Sequence, residues 1–320
     1  MSTIHIVLSV FNGERYIRDQ IRSVQDQSHE DWLLWIRDDG STDGTGARIE
    51  ELAHGDERIR LLPRDGRQRG VAGGFSWLLE SLPEDAEYVA CCDADDVWLP
   101  EKLERSMEGL QRAEAESATA GPEAVLLHTD LSVTDARLNL LSPSFWRHVG
   151  MKPEPVTLRR LLVENVATGP TLLFNRPLLE RVLPIPPEVP HHDWWIALVA
   201  GLFGRVVALP EATVLYRRHD GNHTGGFGGG SGGAAGRFRR VVGALGRTAD
   251  RRKWLAAGAH QARLLLERFG EELDPEDREL LAAYAEIPRL GVISRKLRVL
   301  RLRALPAHGL ARNLALLLRA

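Results

Sequence analysis

The sequence predicts an α/β protein built on a doubly wound, mostly parallel sheet and followed by a helical, basic C-terminal extension. Three observations predict it. Short β-branched runs alternate with helical segments through the first 115 residues, acidic clusters follow two of those runs, and a glycine-rich stretch precedes a region rich in arginine and leucine. Ligands of open α/β sheets bind beyond the carboxyl ends of the strands, so the acidic clusters lie where a ligand is expected.

Strands and helices follow one another in a regular rhythm at the start of the chain. Strands are predicted over residues 4–10, 32–36, 58–62 and 88–92, and helices over 14–27, 47–53, 72–82 and 103–115. Asn12-Gly13 and Asp39-Gly40 are turn signals after the first two strands. Further on, the sequence predicts a loop over 116–123, a strand over 124–129, mixed structure over 145–181, an apolar helix over 194–202 and a strand pair over 206–216, broken by Pro210.

Charge and glycine content divide the chain into parts. The net charge is −3 overall, but residues 237–320 carry 18 Lys and Arg against 9 Asp and Glu, which leaves −12 on the rest. Eight of the twelve residues over 225–236 are glycine, a composition too flexible to pack by itself. We therefore expect a domain over 1–224, a flexible linker over 225–236 and a helical basic region over 237–320.

The cysteines and the N-terminal residues indicate the compartment. Cys91 and Cys92 are neighbours, which rarely pair, and they lie in a strand-like run. The first residues enter a strand directly, without the basic and apolar segments of a signal peptide. No stretch reaches the roughly 18 apolar residues that a membrane span needs. The sequence predicts a reduced, cytoplasmic protein.

The strongest chemical signal is the run Asp93-Ala94-Asp95-Asp96 at the end of a strand. Three carboxylates in four residues repel one another unless a cation neutralises them. Mg²⁺ and Mn²⁺ prefer carboxylate oxygens and often share their coordination shell with substrate phosphates. The alternative is a solvated acidic turn that caps the helix starting near Pro100.

A second acidic segment, Asp38-Asp39-Gly40-Ser41-Thr42-Asp43-Gly44, also follows a strand. A carboxylate there can accept the ring N–H of a uracil or thymine base, and the glycines let the backbone approach a nucleoside. The alternative is an Asp-Gly turn in which Ser41 or Asp43 caps the next helix.

Together with the segment from Ser9 to Gly13, these motifs resemble the nucleotide-binding half of family-two glycosyltransferases of the GT-A fold, a Rossmann-like fold. The resemblance covers residues 3 to about 222. It implies a nucleotide-sugar half over about 1–115 and an acceptor half over about 116–224. It also implies inverting, metal-dependent transfer of a sugar from a nucleotide-diphosphate donor to an acceptor hydroxyl. The implied donor-binding residues are Ser9, Asp38 or Asp39 at the base, and Asp93 and Asp96 beside Asp95, which binds Mg²⁺ or Mn²⁺.

The segment His191-His192-Asp193-Trp194-Trp195 places an acid at the start of an apolar helix. By the same resemblance Asp193 is the general base, and Trp194 and Trp195 offer aromatic faces that suit stacking on the acceptor or the sugar. The alternative is a helix-capping aspartate beside core tryptophans. A zinc site on the two histidines is disfavoured because no third and fourth ligands lie nearby.

Basic residues follow the last predicted strand of this domain. The resemblance implies that His219 ligates the metal or reaches the diphosphate, and that Arg217 and Arg218 add positive charge at the phosphates. The alternative is a basic surface turn.

One further resemblance concerns the donor. The run from Asp93 to Lys102, with residues 168–171 and 192–195, is similar to a rhamnosyltransferase-like branch of the family and implies dTDP-rhamnose. Two alternatives stay open. A sugar nucleotidyltransferase would carry a Gly-rich, basic phosphate loop after the first strand, whereas the chain has Phe11-Asn12-Gly13-Glu14. A non-catalytic nucleotide-sugar-binding protein would not require the retained acids.

The last 34 residues carry eight basic and no acidic side chains, interleaved with leucine and valine. Such a helix suits an anionic membrane surface, and the alternative is a helix packed on the catalytic domain. Nucleic-acid binding is disfavoured because no aromatic residues lie between the arginines. We expect a cytoplasmic enzyme, peripheral on the inner face of the membrane if the tail binds lipid, with a saccharide or lipid-linked acceptor in cell-surface polysaccharide or glycolipid assembly.

Overall fold

A computed structural model of the chain describes residues 2–116, 123–153, 156–219 and 253–291, with 294, 297–298 and 302. The chain divides into two compact units. The first comprises Met1–His148, Pro153–Val156 and Asn165–Arg218, and the second Val149–Lys152, Thr157–Glu164 and His219–Ala320. The predicted linker over 225–236 and the predicted boundary at 224 lie outside the described residues and stay predictions.

The first unit contains every strand of the described residues, in one nine-stranded sheet. The strands are β1 Ile4–Val10, β2 Trp32–Asp38, β3 Ile59–Leu61, β4 Tyr88–Cys92, β5 Val97–Trp98, β6 Ala124–Thr134, β7 Leu140–Ser142, β8 Leu172–Asn175 and β9 Gly204–Arg217. The helices are α1 Ile17–Gln25, α2 Thr45–His54, α3 Gly70–Glu80, α4 Lys102–Glu116, α5 Phe145–Val149, α6 Leu158–Leu161, α7 Arg176–Val182, α8 His192–Phe203, α9 over 253–269 and α10 Pro275–Ala285; α6, α9 and α10 belong to the second unit.

The sheet runs in the order β3-β2-β1-β4-β8-β6-β9-β5, with β7 beside β6. The strands β3, β2, β1 and β4 are parallel neighbours, and β6 and β9 form another parallel pair. The remaining pairings, through β5, β7 and β8, are antiparallel. This arrangement confirms the predicted Rossmann-like, mostly parallel fold, and it puts the carboxyl ends of β1, β2 and β4 on one edge.

Local sequence explains why these elements form. In α1, Ile17, Ile21 and Val24 recur at helical spacing and are fully buried, while Asp19 and Arg22 are exposed on the opposite face. Each such side chain stabilises the fold by about 1.5–3 kcal/mol through burial. We expect truncation of Ile21 to alanine to cost about 2–5 kcal/mol because a cavity would remain.

The prediction of a strand pair over 206–216 is wrong in its detail. One strand, β9, runs through Pro210, and its register with β6 shifts between Thr129 and Asp130. Proline cannot donate a ladder hydrogen bond, so a register irregularity is where a strand tolerates it.

The second unit is helical where the structure describes it. In α10, Pro275 occupies the first turn and the Asp274 carboxylate caps the helix by accepting from the Asp277 N–H at 2.9 Å. Leu281 and Tyr284 of this helix are fully buried. None of the helices in the described ranges combines the length and the apolar composition needed to cross a bilayer.

Candidate active site

The carboxyl edge of the parallel strands brings the two acidic segments together. Val10, the last residue of β1, pairs with Asp38, and Leu8 pairs with Cys92. In the sheet register, β1 and β2 therefore end at the same level and β4 ends two residues earlier. The loops that follow them share the edge where ligands of this fold class bind.

Hydrogen bonds tie the first loop to the second. The Asn12 N–H donates to the Ser41 hydroxyl at 2.9 Å, and the Asn12 side-chain oxygen accepts from the Thr42 N–H at 2.9 Å. The Glu14 carboxylate accepts from the Gly44 N–H at 3.0 Å, and a Cβ on Gly44 would collide with that carboxylate. The glycine-rich acidic segment thus folds against the end of β1.

Asp39 is buried and engaged by the connection before α3. Its two carboxylate oxygens accept from the Arg69 N–H at 2.9 and 3.0 Å and from the Gly70 N–H at 2.8 Å. The Arg37 guanidinium, itself buried, donates to the same carboxylate at 3.1 Å. This side chain orders the β3–α3 connection, and its contact with a base stays a prediction.

The other two residues expected at the nucleoside lie at the same edge. Asp38 accepts from the Ser41 N–H at 2.8 Å and forms an ion pair with Arg64. Ser9 lies next to last in β1, and its hydroxyl occupies the space that a Cβ on Gly74 of α3 would need. Their contacts with a donor also stay predictions.

The acidic run after β4 is a close cluster. One carboxylate oxygen from each of Asp93, Asp95 and Asp96 lies within 4.8 Å of the others. Burial raises the pKa of Asp93 and of Asp96 well above the ordinary aspartate value, and the neighbouring Asp95 charge adds to the rise. Asp96 is fully buried, and its Oδ2 has no hydrogen-bond partner among the described residues. Such crowded and under-satisfied oxygens fit a hard divalent cation.

The basic residues predicted at the phosphates have different surroundings. Arg217 is buried and its N–H donates to Asp96 Oδ1 at 3.0 Å, while its guanidinium donates to other protein groups. Arg218 is half-buried and its N–H donates to the Thr134 carbonyl at 3.0 Å. His219 is the first residue of the segment that belongs to the second unit. Phosphate or metal binding by these three residues stays a prediction.

Asp193 lies in the first turn of α8 with both oxygens held. Oδ2 accepts from the Gly169 N–H at 3.0 Å and Oδ1 from the Trp194 N–H at 2.6 Å, and the Asn165 side chain adds a hydrogen bond. Burial raises the pKa of Asp193, and the His191 charge and these hydrogen bonds oppose the rise. Gly169 lies just before β8, whose Leu173 pairs with Ala90 near the end of β4, so the turn that holds Asp193 lies at the strand end that carries the acidic cluster. The Asp193 charge also raises the pKa of Asp93.

The aromatic neighbours of Asp193 are core residues. Trp194 and Trp195 are wholly buried, and the Trp195 indole N–H donates to the Val182 carbonyl at 3.1 Å. This placement matches the alternative of core tryptophans, and it does not support their stacking on a sugar, because neither ring has a face in solvent. His192 is also buried, and its ring stacks on Phe75 with centroids 3.6 Å apart. Burial lowers the pKa of His192 to about 3, which makes the ring neutral at pH 7.

The sequence did not predict the hydrogen-bond partners that position the candidate site residues. Asn165 and Gly169 hold Asp193, and Asp19 accepts a hydrogen bond from Arg217 across 198 residues of sequence. The Thr-Gly-Pro-Thr run contains Gly169, but its spacing gives no sign that it meets Asp193. No periodicity connects positions so far apart.

The sheet order and the acidic edge define a protein of GT-A fold, and comparison with known proteins gives its family. Residues 5–182 match the family model described as glycosyl transferase family 2. That match covers more than half of the chain, so the protein belongs to this family.

Individual relatives are similar over part of their length. An uncharacterized glycosyltransferase of Nostoc is 29% identical, over 69% of this chain and 66% of that protein. The Escherichia coli UDP-Glc:alpha-D-GlcNAc-diphosphoundecaprenol beta-1,3-glucosyltransferase WfgD is 34% identical, over 55% of this chain and 61% of that protein. The matches therefore span less than two thirds of these relatives.

Solved structures share the fold at low sequence identity. Staphylococcus aureus TarS 1–349 in complex with UDP-GlcNAc has a TM-score of 0.57 at 17% identity, covering 95% of this chain and 87% of that one. The mannosyltransferase PcManGT from Pyrobaculum calidifontis, in complex with GDP-Man and Mn²⁺, has a TM-score of 0.51 at 17% identity, covering 94% and 85%. These likenesses concern the fold alone.

Proposed function

We propose that this protein is an inverting glycosyltransferase that moves a sugar from a nucleotide-diphosphate donor to an acceptor hydroxyl, with Mg²⁺ or Mn²⁺ as cofactor. One observation carries the proposal: a crowded carboxylate cluster, Asp93, Asp95 and Asp96, follows the end of β4, and the turn that orients a separate carboxylate, Asp193, lies beside that same strand end. The first suits a cation with a diphosphate, and the second suits a base. Family membership supports the reaction class.

The acidic cluster is the proposed binding site for the cation, with Asp95 as its main ligand and Asp93 and Asp96 beside it. These residues would hold a divalent cation, which would supply positive charge to offset the charge building on the leaving diphosphate. The unpartnered Asp96 Oδ2 and the raised pKa of Asp93 support this assignment, because each indicates negative charge that the described residues leave uncompensated.

Asp193 is the proposed general base. An acceptor hydroxyl is a poor nucleophile at neutral pH, and a carboxylate within hydrogen-bond reach takes its proton as the bond to the sugar forms. The hydrogen bonds from Gly169 and Trp194 fix the orientation of the carboxylate. Burial raises its pKa, which strengthens it as a base as long as it stays ionised. A single displacement with one base inverts the anomeric carbon and needs no second carboxylate as nucleophile.

The proposed donor is dTDP-rhamnose, and the proposed setting is cell-surface polysaccharide or glycolipid assembly. The donor rests on the motif resemblance around Lys102 and Asp193. The setting is supported by WfgD, whose name gives a diphosphoundecaprenol-linked acceptor. A lipid-linked acceptor would suit the basic tail over 287–320 as a membrane-surface element, most of which lies outside the described residues.

A donor panel tests the proposal. The protein is incubated with dTDP-rhamnose, UDP-glucose, UDP-GlcNAc or GDP-mannose, in Mn²⁺ or in EDTA. Thermal shift reports binding, and chromatography reports the released nucleoside diphosphate. We expect one donor to bind in Mn²⁺ and to release its nucleoside diphosphate when a lipid-linked saccharide acceptor is added. NMR of the product should show that the anomeric configuration of the transferred sugar is inverted.

The variant Asp193→Asn separates catalysis from binding. It keeps the size of the side chain but removes the base. We therefore expect the rate of nucleoside diphosphate release to fall by about 10²–10⁴-fold, while the donor-induced thermal shift remains as large as in the native protein. Binding without release by the native protein would favour the non-catalytic alternative. Pyrophosphate released from dTTP and a sugar 1-phosphate would favour the nucleotidyltransferase, and full activity in EDTA would contradict the metal requirement.

A further inference from the structure

The end of β9 carries a buried arginine that the proposed chemistry does not use. Arg217 is 4% exposed, although an arginine at a strand end ordinarily extends into solvent. A buried guanidinium keeps its charge, so its position must be fixed by partners that compensate that charge.

One main-chain and one side-chain contact of Arg217 go directly to the acidic cluster. The Arg217 backbone N–H donates to Asp96 Oδ1 at 3.0 Å, and the guanidinium Nε donates to the Asp95 backbone carbonyl at 2.9 Å, so only the second depends on the side chain. These contacts use one oxygen of Asp96 and a main-chain oxygen of Asp95. They leave Asp96 Oδ2 without a partner among the described residues.

The other end of the guanidinium is anchored away from the cluster. Nη2 donates to Asp19 Oδ2 of α1 at 2.9 Å, and Nη1 donates to the Ala136 carbonyl, between β6 and β7, at 3.2 Å. The guanidinium carbon lies 4.6 Å from the ring centroid of Tyr16, which precedes α1. One side chain therefore connects α1, the β6–β7 turn, β9 and the acidic cluster.

We propose that Arg217 is a positioning residue that holds the acidic cluster in the arrangement that binds the cation, and not a ligand of the donor phosphates. The inference rests on the proposed function. Three carboxylates within 4.8 Å repel one another, and the loop that carries them would otherwise relax by moving them apart. The planar guanidinium opposes that motion because its three nitrogens donate in three fixed directions. The single ammonium of a lysine cannot reach the same three partners.

The test compares Arg217→Lys with a matched control, Arg58→Lys. Arg58 also combines a carboxylate, Asp56 at 2.9 Å, with an aromatic ring, Trp32 at 3.9 Å, but it lies before β3, at the amino end of the strands. Hydrogen exchange of the amides of residues 95–98, measured by mass spectrometry without metal, reports the order of the loop. Mn²⁺ titration followed by electron paramagnetic resonance reports cation affinity.

We expect Arg217→Lys to speed exchange of these amides by about tenfold or more and to raise the Mn²⁺ midpoint by about tenfold. Arg58→Lys should change neither. Higher Mn²⁺ should restore part of the turnover of Arg217→Lys, which loss of a phosphate ligand would not allow. Asp19→Asn, at a half-exposed position, should give a smaller change in the same direction, and it serves as the readout if Arg217→Lys does not fold.

The inference would be overturned if Arg217→Lys left both the amide exchange and the Mn²⁺ midpoint unchanged. If Arg217→Lys does not fold, the same result in Asp19→Asn would overturn it. So would a defect confined to donor affinity, which would make Arg217 a phosphate ligand. The exchange measurement contains no metal and no donor. If instead the glycosyltransferase proposal is wrong, the native protein will not transfer sugar. Amide exchange will still differ between Arg217→Lys and Arg58→Lys.

Discussion

Two acidic segments follow strands that end at the same edge of the sheet, but their carboxylates differ in how fully the protein satisfies them with hydrogen bonds. Asp38 and Asp39 accept hydrogen bonds from backbone N–H groups and pair with arginines. In the cluster of Asp93, Asp95 and Asp96 the oxygens are crowded, burial raises the pKa of Asp93 and of Asp96, and Asp96 Oδ2 is buried without a partner among the described residues. Carboxylates satisfied by the protein hold loops in place, whereas carboxylates left under-satisfied indicate a ligand.

The largest expected difference between the two segments is in turnover. Asp95→Asn keeps the shape of the loop but removes a charge from the proposed cation site, so we expect kcat/KM to fall at least 100-fold in saturating Mn²⁺. Steady-state release of nucleoside diphosphate measures it. The comparison would fail if Asp95→Asn kept near-native kcat/KM.

Removing one charge from each segment should destabilise the protein at Asp39 but not at Asp96. Asp39→Asn puts an amide among donors that need an acceptor, and we expect it to lower the free energy of unfolding by about 2–3 kcal/mol. Burial raises the pKa of Asp96 in the folded protein, so the folded state holds this proton more tightly than the unfolded state. Stability from this group is therefore lost as pH rises above the ordinary aspartate value.

Asp96→Asn removes that loss, and the metal-free variant should be as stable as the native protein or more stable at pH 7. Urea unfolding of both variants in EDTA measures the two effects. Equal destabilisation by Asp39→Asn and Asp96→Asn would mean that both segments serve the fold in the same way.

The sequence predicted the shared edge but not this difference. Periodicity located β1, β2 and β4, and parallel pairing then required their ends to meet. Arg37 is a local partner of Asp39, but the backbone N–H groups that satisfy Asp39 lie 30 and 31 residues away. The partner of Asp96, Arg217, lies 121 residues away, so the local sequence does not show how differently the two carboxylates are satisfied.

The tryptophans after Asp193 could have been predicted better. Residues 194–200 are apolar on every side of the helix, a pattern typical of a buried helix and not of a binding face. The neighbouring acid was informative because a carboxylate at the start of such a helix must find partners in the fold.

A smaller effect concerns pH and the residue beside the proposed base. The pKa of His192 is lowered to about 3 by burial, from an ordinary value of 6.5. The folded state thus binds its proton less tightly, and stability is lost as pH falls below 6.5. Between pH 6 and 4, the free energy of unfolding of the native protein should fall by about 1.4 kcal/mol per pH unit relative to that of His192→Leu, whose side chain cannot titrate. Urea unfolding at several pH values measures the difference, and parallel pH profiles would contradict it.

The smallest expected effect tests whether Asp193, like Asp39, depends on a backbone N–H for its position. A Cβ on Gly169 would lie 3.3 Å from His192 Nε2 and 3.7 Å from Asp193 Oδ2. His192 cannot easily retreat, because its ring is stacked on Phe75. In Gly169→Ala the turn must therefore shift and carry its N–H away from the Asp193 carboxylate.

We expect this shift to lower kcat by about tenfold, equivalent to ~1.4 kcal/mol, and to leave donor affinity unchanged because the turn holds only the proposed base. Gly291→Ala is the control, since a Cβ there has no heavy atom within 4 Å among the described residues. Single-turnover rates and donor titrations separate the two quantities. A native kcat in Gly169→Ala would mean that Asp193 keeps its orientation without this hydrogen bond, and that Asn165 and the start of α8 are sufficient to hold it.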